Sequence, residues 1–596
     1  MTQKTTKRLF SVLCLCLVTL LVFSACSSNE QTGNSNDPSG TNGGVPTATG
    51  PLPTMDVQIP DEPPTPPVTK PNLDFSSNPT MDGINTDFAY NYEEMFTNRD
   101  LDATYDTNAA AVVTLSGDKI TSESSAVGVN GNKAILQQDG TYIFRGTLND
   151  GMIVVNAAAT SKVQIVLDGV DLTSKTSAAI YVIEADKVVV TLAEGSENKL
   201  SNGGSFVPLD NNNVDATVFS KADLTFNGAG KLHIESPAAH GIVSKDDLVF
   251  AGGTYTINAA SRGIDANDSV RCAGTYLAVQ AGKDAIRAKN DTDTTLGYVY
   301  INDAQMDIKA SGDGISASSN IQIDAGKFSI KAGIGVDLSA NPEAPSAKSL
   351  KASNNLLVVN GEFDLESVED TVNVNGNIIL AAGKFALKSG DDAFHADKSF
   401  YAVSAEVNVS ECYEGIEAVN VEIRAGKIDI TSKDDAINAA GGTDATDNTD
   451  SFAASTGTLK ISGGEININS NGDGFDVKGE FGMTGGLVRV SVSAKDGNST
   501  YDYETGGDIS GGIFIATGSA SVVSIPTATT QGVLSVNAGS KEAGVEIKVE
   551  DESGTAILIE TPVNDFEICI ISTPKIVKGK TYKVYVGNDS GNFTAK

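Results

Sequence analysis

GIVSKDDLVFAGGTYTINAASR, residues 241–262, decides how this chain is read. It holds three short alternating runs, GIVSK, DLVFAG and TYTINA, parted by polar or glycine-containing bends, the pattern of short strands joined by turns. The unit then repeats. Glycine, an aromatic or apolar residue, any residue and an apolar residue return in GTYLAVQ (274–280), GKFSIKA (326–332), GEFDLES (361–367), GKFALKS (383–389), GKIDITS (426–432) and GEININS (464–470). A second phrase, polar, small, apolar, is anchored at Ile242, Ile264, Ile286, Ile315, Val372, Phe394, Ile416, Ile437 and Phe475, with most neighbours 22 or 21 residues apart. A propeller blade needs about 40 residues and a leucine-rich repeat its Leu/Asn ladder, and neither fits. The expected fold is all-β: a right-handed parallel β-helix, a solenoid of about 22 residues per rung, with equivalent residues of successive rungs about 4.8 Å apart. The longer gaps at 287–313, 316–350 and 438–463 read as projecting loops, GGTDATDNTD (441–450) among them.

Composition agrees with short strands and tight turns. The 596 residues include 60 Gly, 6% aromatics and no Trp. A formal charge of −34, from 42 Lys+Arg against 76 Asp+Glu, argues against nucleic acid or an anionic membrane surface as partner and favours cations or ligands bridged by them. At the start, Lys4, Lys7 and Arg8 precede an apolar run from Leu9 to Phe23 and the small-residue site Ser24-Ala25-Cys26, an export signal. It resembles a bacterial lipoprotein signal, which implies that Cys26 carries lipid and anchors the chain on the extracellular face of the cell membrane; an ordinary secretory peptide is the alternative. No other segment reaches the roughly 18 apolar residues of a span. The domains expected are 1–26 signal, 27–88 a disordered Ser/Gly/Pro/Thr-rich spacer, 89–525 the parallel β-helix and 526–596 a C-terminal β module covering its last rung. Cys272, Cys412 and Cys569 are scattered and read as buried apolar residues.

Two residues before the anchors stand His240, Arg262, Asp284, Asp313, Asp370, Asp392, Glu414, Asp435 and Asp473, each followed by Gly or Ala except at Thr371. Stacked rungs would bring Asp370, Asp392, Glu414 and Asp435 together, with Glu369, Asp391 and Asp434 beside three of them. Unit charges about 4.8 Å apart repel by roughly 3–4 kcal/mol at an effective dielectric of about 20. Either the pKa values rise or a cation sits among them. Carboxylates with amides such as Asn373 and Asn438 offer hard oxygen ligands, which select Ca²⁺ over zinc. The plainer reading is that these residues are solvated turn Asp.

MFTNRDLDATYD (95–106), LDGVDLTSKTSAAIYV (167–182) and the SGDDAFHAD (389–397) and SKDDAINAA (432–440) phrases together resemble the bacterial carbohydrate-binding, polysaccharide-lyase-like β-helix proteins, over about 88–590. The resemblance implies bound calcium and binding of cellulose or acidic plant-wall polysaccharide without an established lyase activity. Carried over by motif, it assigns Asp391, Asp392, Asp434 and Asp435 as metal ligands; the single carboxylates at Asp313 and Asp473 make strong sites there doubtful.

A surface binding module is the expected function: a lipid-anchored monomer on whose sheet face Ca²⁺ bridges the carboxylates of a polygalacturonate-like chain. Neutral glucan such as cellulose would need stacking residues, for which Tyr401, Tyr413, Tyr501 and Tyr503 are the candidates, each alternatively a packing residue. A pectate-lyase-like enzyme would need Lys433 or Lys388 as base, although a Lys beside two carboxylates is poorly placed for it. A third reading is an adhesin whose calcium only stiffens the fold. His233, His240 and His395 are too scattered for a base network; His395 reads as a hydrogen-bond partner of the Asp391-Asp392 pair.

Overall fold

The computed structural model describes residues 81–335, 346–440, 457–494, 498–526 and 530–596. The chain divides into a unit over Met1–Thr47, outside the described residues, and one over Ala48–Lys596, which carries everything below. The export signal, Cys26, the spacer up to residue 80 and GGTDATDNTD also lie outside the described residues. No helix among the described residues is long and apolar enough to cross a membrane.

Each period supplies three short strands, for example Ile264–Ala266, Ser269–Ala273 and Tyr276–Ala281. Each pairs in parallel with its counterpart one period on, Ile264 with Ile286, Val270 with Val299 and Leu277 with Met306. Alternation sends every second residue inward, as in Lys384–Ser389, where Phe385, Leu387 and Ser389 are buried and their neighbours exposed. Equivalent inward positions then stack: the rings of Phe328, Phe363 and Phe385 lie parallel with centroids 4.8 and 4.5 Å apart. Each buried ring contributes roughly 2–3 kcal/mol of apolar burial.

The open right-handed solenoid expected from the period is corrected by the sheet itself. Forty-four strands form one continuous sheet rather than separate faces. Several strands run round a corner and pair on both sides of it: Tyr298–Ala310 with Ser269–Ala273 and Tyr276–Ala281, Ile321–Lys331 with Leu356–Val358 and Glu362–Ser367, Phe394–Ala402 with Val372–Val374 and Asn377–Leu380. The sheet thus closes around one core as a barrel-like enclosure of parallel strands. Extra antiparallel strands are added at its two ends, Lys119–Thr121 on Ala111–Gly117 and Phe566–Ser572 between Ile513–Gly518 and Val533–Lys541. A repeat spacing specifies which residues stack, but whether faces join depends on strands long enough to turn a corner, and the period does not report them. Nor is the spacing uniform. Asp284 and Asp313, Asp313 and Lys348, and Asp435 and Asp473 are stacked neighbours although 29, 35 and 38 residues apart. The gaps expected to be loops contain the strands Tyr298–Ala310, Ile321–Lys331 and Thr458–Ile461.

Residues 81–110 run across the outer face of these strands. Two short helices, Tyr92–Met95 and Asn98–Leu101, sit there, the second opened by a Thr97/Asp100 capping box. Asp100 is fully buried; Lys187 Nζ lies 2.6 Å and Thr225 Oγ1 2.5 Å from its Oδ1. Arg271 donates to the Met95 carbonyl at 2.8 Å, Tyr90 stacks on Tyr298 at 4.5 Å, and Met81 and Ile84 pack on Leu357, Ile379 and Val403. A four-stranded antiparallel sheet, Ala556–Glu560, Ile547–Glu550, Thr581–Val586 and Asp589–Thr594, ends the chain, and its residues Val549, Tyr582 and Val584 share a second core with Leu534 and Phe566.

A candidate acidic site at one corner of the sheet

The residues two before each anchor form one continuous column. Backbone N–H groups of Gly263, Ala285, Gly314, Thr371, Ala393, Gly415 and Ala436 donate to the carbonyls of Asp284, Asp313, Lys348, Asp392, Glu414, Asp435 and Asp473, each one strand layer further on. The small residue after each column member has a steric cause. A Cβ on Gly415 would stand 2.3 Å from the Ala436 carbonyl oxygen, and its backbone is not in the left-handed region. A serine braces the corner from the preceding strand: Ser367, Ser389 and Ser470 donate to the carbonyls of Asp370, Asp392 and Asp473, three residues on, and Ser432 donates to that of Asp434. This Ser-x-x-acid-small-apolar phrase is visible in the sequence beside the acidic pairs and marks the same corner.

The column brings Asp370, Asp392, Glu414 and Asp435 together, and a second row, three residues further along each chain turn, faces it: Asn373, His395, Glu417 and Asn438. Asn373 donates to Asp370 at 2.7 Å and Asn438 to Glu414 at 3.0 Å. His395 is buried with both nitrogens on carboxylates, Nδ1 2.8 Å from Glu417 and 3.4 Å from Asp392, Nε2 3.3 Å from Asp397, which a ring donating from both nitrogens satisfies. Burial, then the charges of Asp370, Glu414 and Glu417, hold the Asp392 carboxyl well above the usual range, although the His395 contact opposes this. Burial would raise Glu417 too, but the His395 hydrogen bond and charge outweigh it and its pKa falls. The pair therefore favours one proton, on Asp392. Burial pushes Glu414 up to about 8, Asp435 to about 7 and Asp473 to about 6, with like charges of neighbouring layers adding to each.

Two groups of side chains converge closely enough to share an ion, Asp370/Asp391/Asp392 and Asp392/His395/Glu417, with one ligand atom of each residue within 4.8 Å of the others. The first is all oxygen and fits a hard cation. The second spends its imidazole on carboxylates. A further acceptor points the same way: Asn438 Oδ1 is buried with no hydrogen-bond partner among the described residues, while its own amide nitrogen holds Glu414. Buried acceptors without donors are costly, and a cation satisfies them.

Other expected residues are placed as follows. Glu369 accepts from Ala347 N at 2.9 Å and meets Lys348, whose ammonium also lies 3.1 Å from Asp370. Lys348 is a column member that the sequence hides, because it lies beyond a 35-residue interval. Burial would lower its pKa, but Asp370 and Glu369 raise it. Asp391 is exposed and Asp434 half-buried, the latter bonded to the Tyr413 hydroxyl, which it raises to about 12. Lys388 and Lys433 are exposed and both meet Glu411, at 3.5 and 2.7 Å. Tyr413 is 46% exposed beside the column. Tyr401 instead packs under residues 81–89, on another face, and Tyr501 is buried, its ring stacked on Tyr503 at 4.7 Å. Cys272, Cys412 and Cys569 are buried and free.

The molecule is thus a closed parallel sheet with a corner column of buried and half-buried carboxylates. Residues 130–393 match the family model described as carbohydrate-binding domain-containing protein. A curated relative, a carbohydrate-binding domain-containing protein from Acetivibrio thermocellus, is 33% identical over 160 residues, which are 26% of this chain and 55% of that protein. The chain thus spans about half the length of this relative. A solved structure of the polysaccharide lyase-like protein from C. thermocellum, a gadolinium derivative, is 29% identical with a TM-score of 0.38, covering 42% of this chain and 96% of that one. The family model and the curated relative bear out the resemblance to carbohydrate-binding proteins. The matched stretch includes Glu369, Asp370, Asp391 and Asp392 and ends before Glu414 and Asp435.

Proposed function

We propose that this chain is a carbohydrate-binding protein of the bacterial cell surface, lipid-anchored through Cys26, that takes up acidic plant-wall-type polysaccharide through calcium held at the acidic corner. The observation that carries the reading is the column of buried Asp370 and Asp392 and half-buried Glu414 and Asp435, with Asn438 Oδ1 beside it lacking a hydrogen-bond partner among the described residues. The matches over 130–393 support the carbohydrate part.

Asp370, Asp391 and Asp392 would hold one ion, and Glu414, Asp435 and Asn438 are the oxygens available for another. Calcium there supplies a positive charge to which a uronate carboxylate can bind. The chain's own residues do the rest. The serine braces and small residues fix the carboxylates one strand layer apart, and Lys348 compensates the Glu369 end. Exposed Tyr413 offers a ring face beside Asp391 and Asp434. A lyase reading gains nothing from the geometry, since the ammonium groups of both Lys388 and Lys433 are engaged with Glu411.

Titration calorimetry tests the proposal. Polygalacturonate should bind in millimolar calcium, lose binding in chelator, and lose it in Asp392→Asn together with Asp391→Asn while the fold stays intact. Equal binding with chelator present would refute the calcium bridge.

A further inference from the structure

Beside the acidic corner lies an open groove of about 540 Å³. Its floor is one short side chain per strand, Asp307, Ser329, Asp364, Ala386, Asn408 and Asp429, aligned by parallel register. Two residues before each floor position stands a rail of long side chains paired across strands, with Lys327–Glu362 at 3.1 Å and Lys384–Glu406 at 3.5 Å. On the other side, two residues beyond, a second rail repeats the device with Lys331–Glu366 at 2.6 Å. A further depression of about 410 Å³ begins at the same Asp429 and is closed by residues 560–563 of the C-terminal region.

We propose that this groove is a second glycan site, for a neutral, linear, hydroxyl-rich polysaccharide bound without calcium. It rests on the polysaccharide-binding reading above but uses another surface and no metal. Charge selects the class. The rail before the floor sets Lys327, Lys384 and Lys427 against Glu362 and Glu406, and its odd cation, Lys427, is engaged by the floor's Asp429 at 2.7 Å. With Asp307 and Asp364 also on the floor, the groove has no net positive charge to draw in a polyanion and repels carboxylates. Chemistry agrees. Every rail pair presents a donor and an acceptor side by side, and the floor adds carboxylate, amide and hydroxyl oxygens, the complement of sugar hydroxyls that both give and take hydrogen bonds. The spacing fits as well: strands repeat about every 4.8 Å, close to the rise of one residue in an extended β-linked hexose chain, so successive sugars meet equivalent side chains. Ser329 and Ala386 leave the middle of the floor open. With no aromatic ring on the floor, affinity per sugar is low and accumulates along the chain.

Titration of the full chain with cellohexaose, xylohexaose and mannohexaose in chelator reads this directly. At least one should bind, and Ala386→Arg and, independently, Ser329→Arg, both at solvent-accessible positions, should weaken it about tenfold or more with melting temperature unchanged. Calcium-dependent polygalacturonate binding should be untouched in both variants. Absence of binding by all three sugars, or wild-type affinity in both variants, would overturn the proposal. Should polygalacturonate never bind while a neutral hexasaccharide does so in chelator and is lost in the variants, the groove stands and the calcium-bridged reading falls.

Discussion

A carboxyl buried as deeply as that of Asp392 is costly to ionise, and the cost sets how stability follows pH. For Glu414 the folded pKa, about 8, lies above its ordinary 4.5, so the fold favours the protonated form. Its contribution is fully present below about pH 4.5 and is lost as pH rises through 8. Asp435 behaves alike with its upper bound near 7. In chelator, then, melting temperature should fall between pH 5 and 9, and Glu414→Gln should remove about 4 kcal/mol of that loss, at about 1.4 kcal/mol per pKa unit; a flat profile by calorimetry would contradict the desolvated column. Gly415→Val places side-chain atoms against the Ala436 carbonyl and should destabilise by about 2–4 kcal/mol in urea melts. At this scale the sequence was a good guide to Asp370, Asp392, Glu414 and Asp435, because a near-constant interval set them in line. It hid Lys348 because insertion length, not residue type, broke the count, and it gave no sign of the orphaned Asn438 oxygen, which depends on how side chains meet.

Among the elements, the corner turns and the 81–110 segment differ in how local their determinants are. Ser389→Ala removes one buried hydrogen bond to the Asp392 carbonyl and should cost about 1 kcal/mol, with the largest rise in amide exchange at 389–394. The outer segment is fastened by the buried Asp100–Lys187 pair, and removing one partner leaves an uncompensated charge. Asp100→Ala should therefore cost about 3–5 kcal/mol and expose 92–102 to exchange before the sheet opens; uniform exchange would show that the segment is not separately fastened. Strand positions were legible from alternation, since Phe363, Phe385 and Ile428 all follow their glycines by two residues. The closing of the faces was not, because strands such as Ile321–Lys331 look, in sequence, like two short runs with a bend at Ala325-Gly326.

Across the whole molecule the excess of acidic residues opposes compaction, and stacking puts many of them on adjacent strands. Raising sodium chloride from about 0.02 to about 0.5 M at pH 8 in chelator should raise the melting temperature, as shorter screening lengths relieve exposed repulsion. No rise, or a fall, would mean that the paired rails already balance the surface. The outer segment has one more consequence, in time rather than energy. Tyr90 gives one backbone hydrogen bond to Gln322 and takes one from it, 232 residues later in the chain, and Met81 rests on residues later still. During synthesis, which supplies about 5–20 residues per second, this stretch emerges before its landing surface exists. Among the first residues of the fold to be made, it is among the last that can be seated.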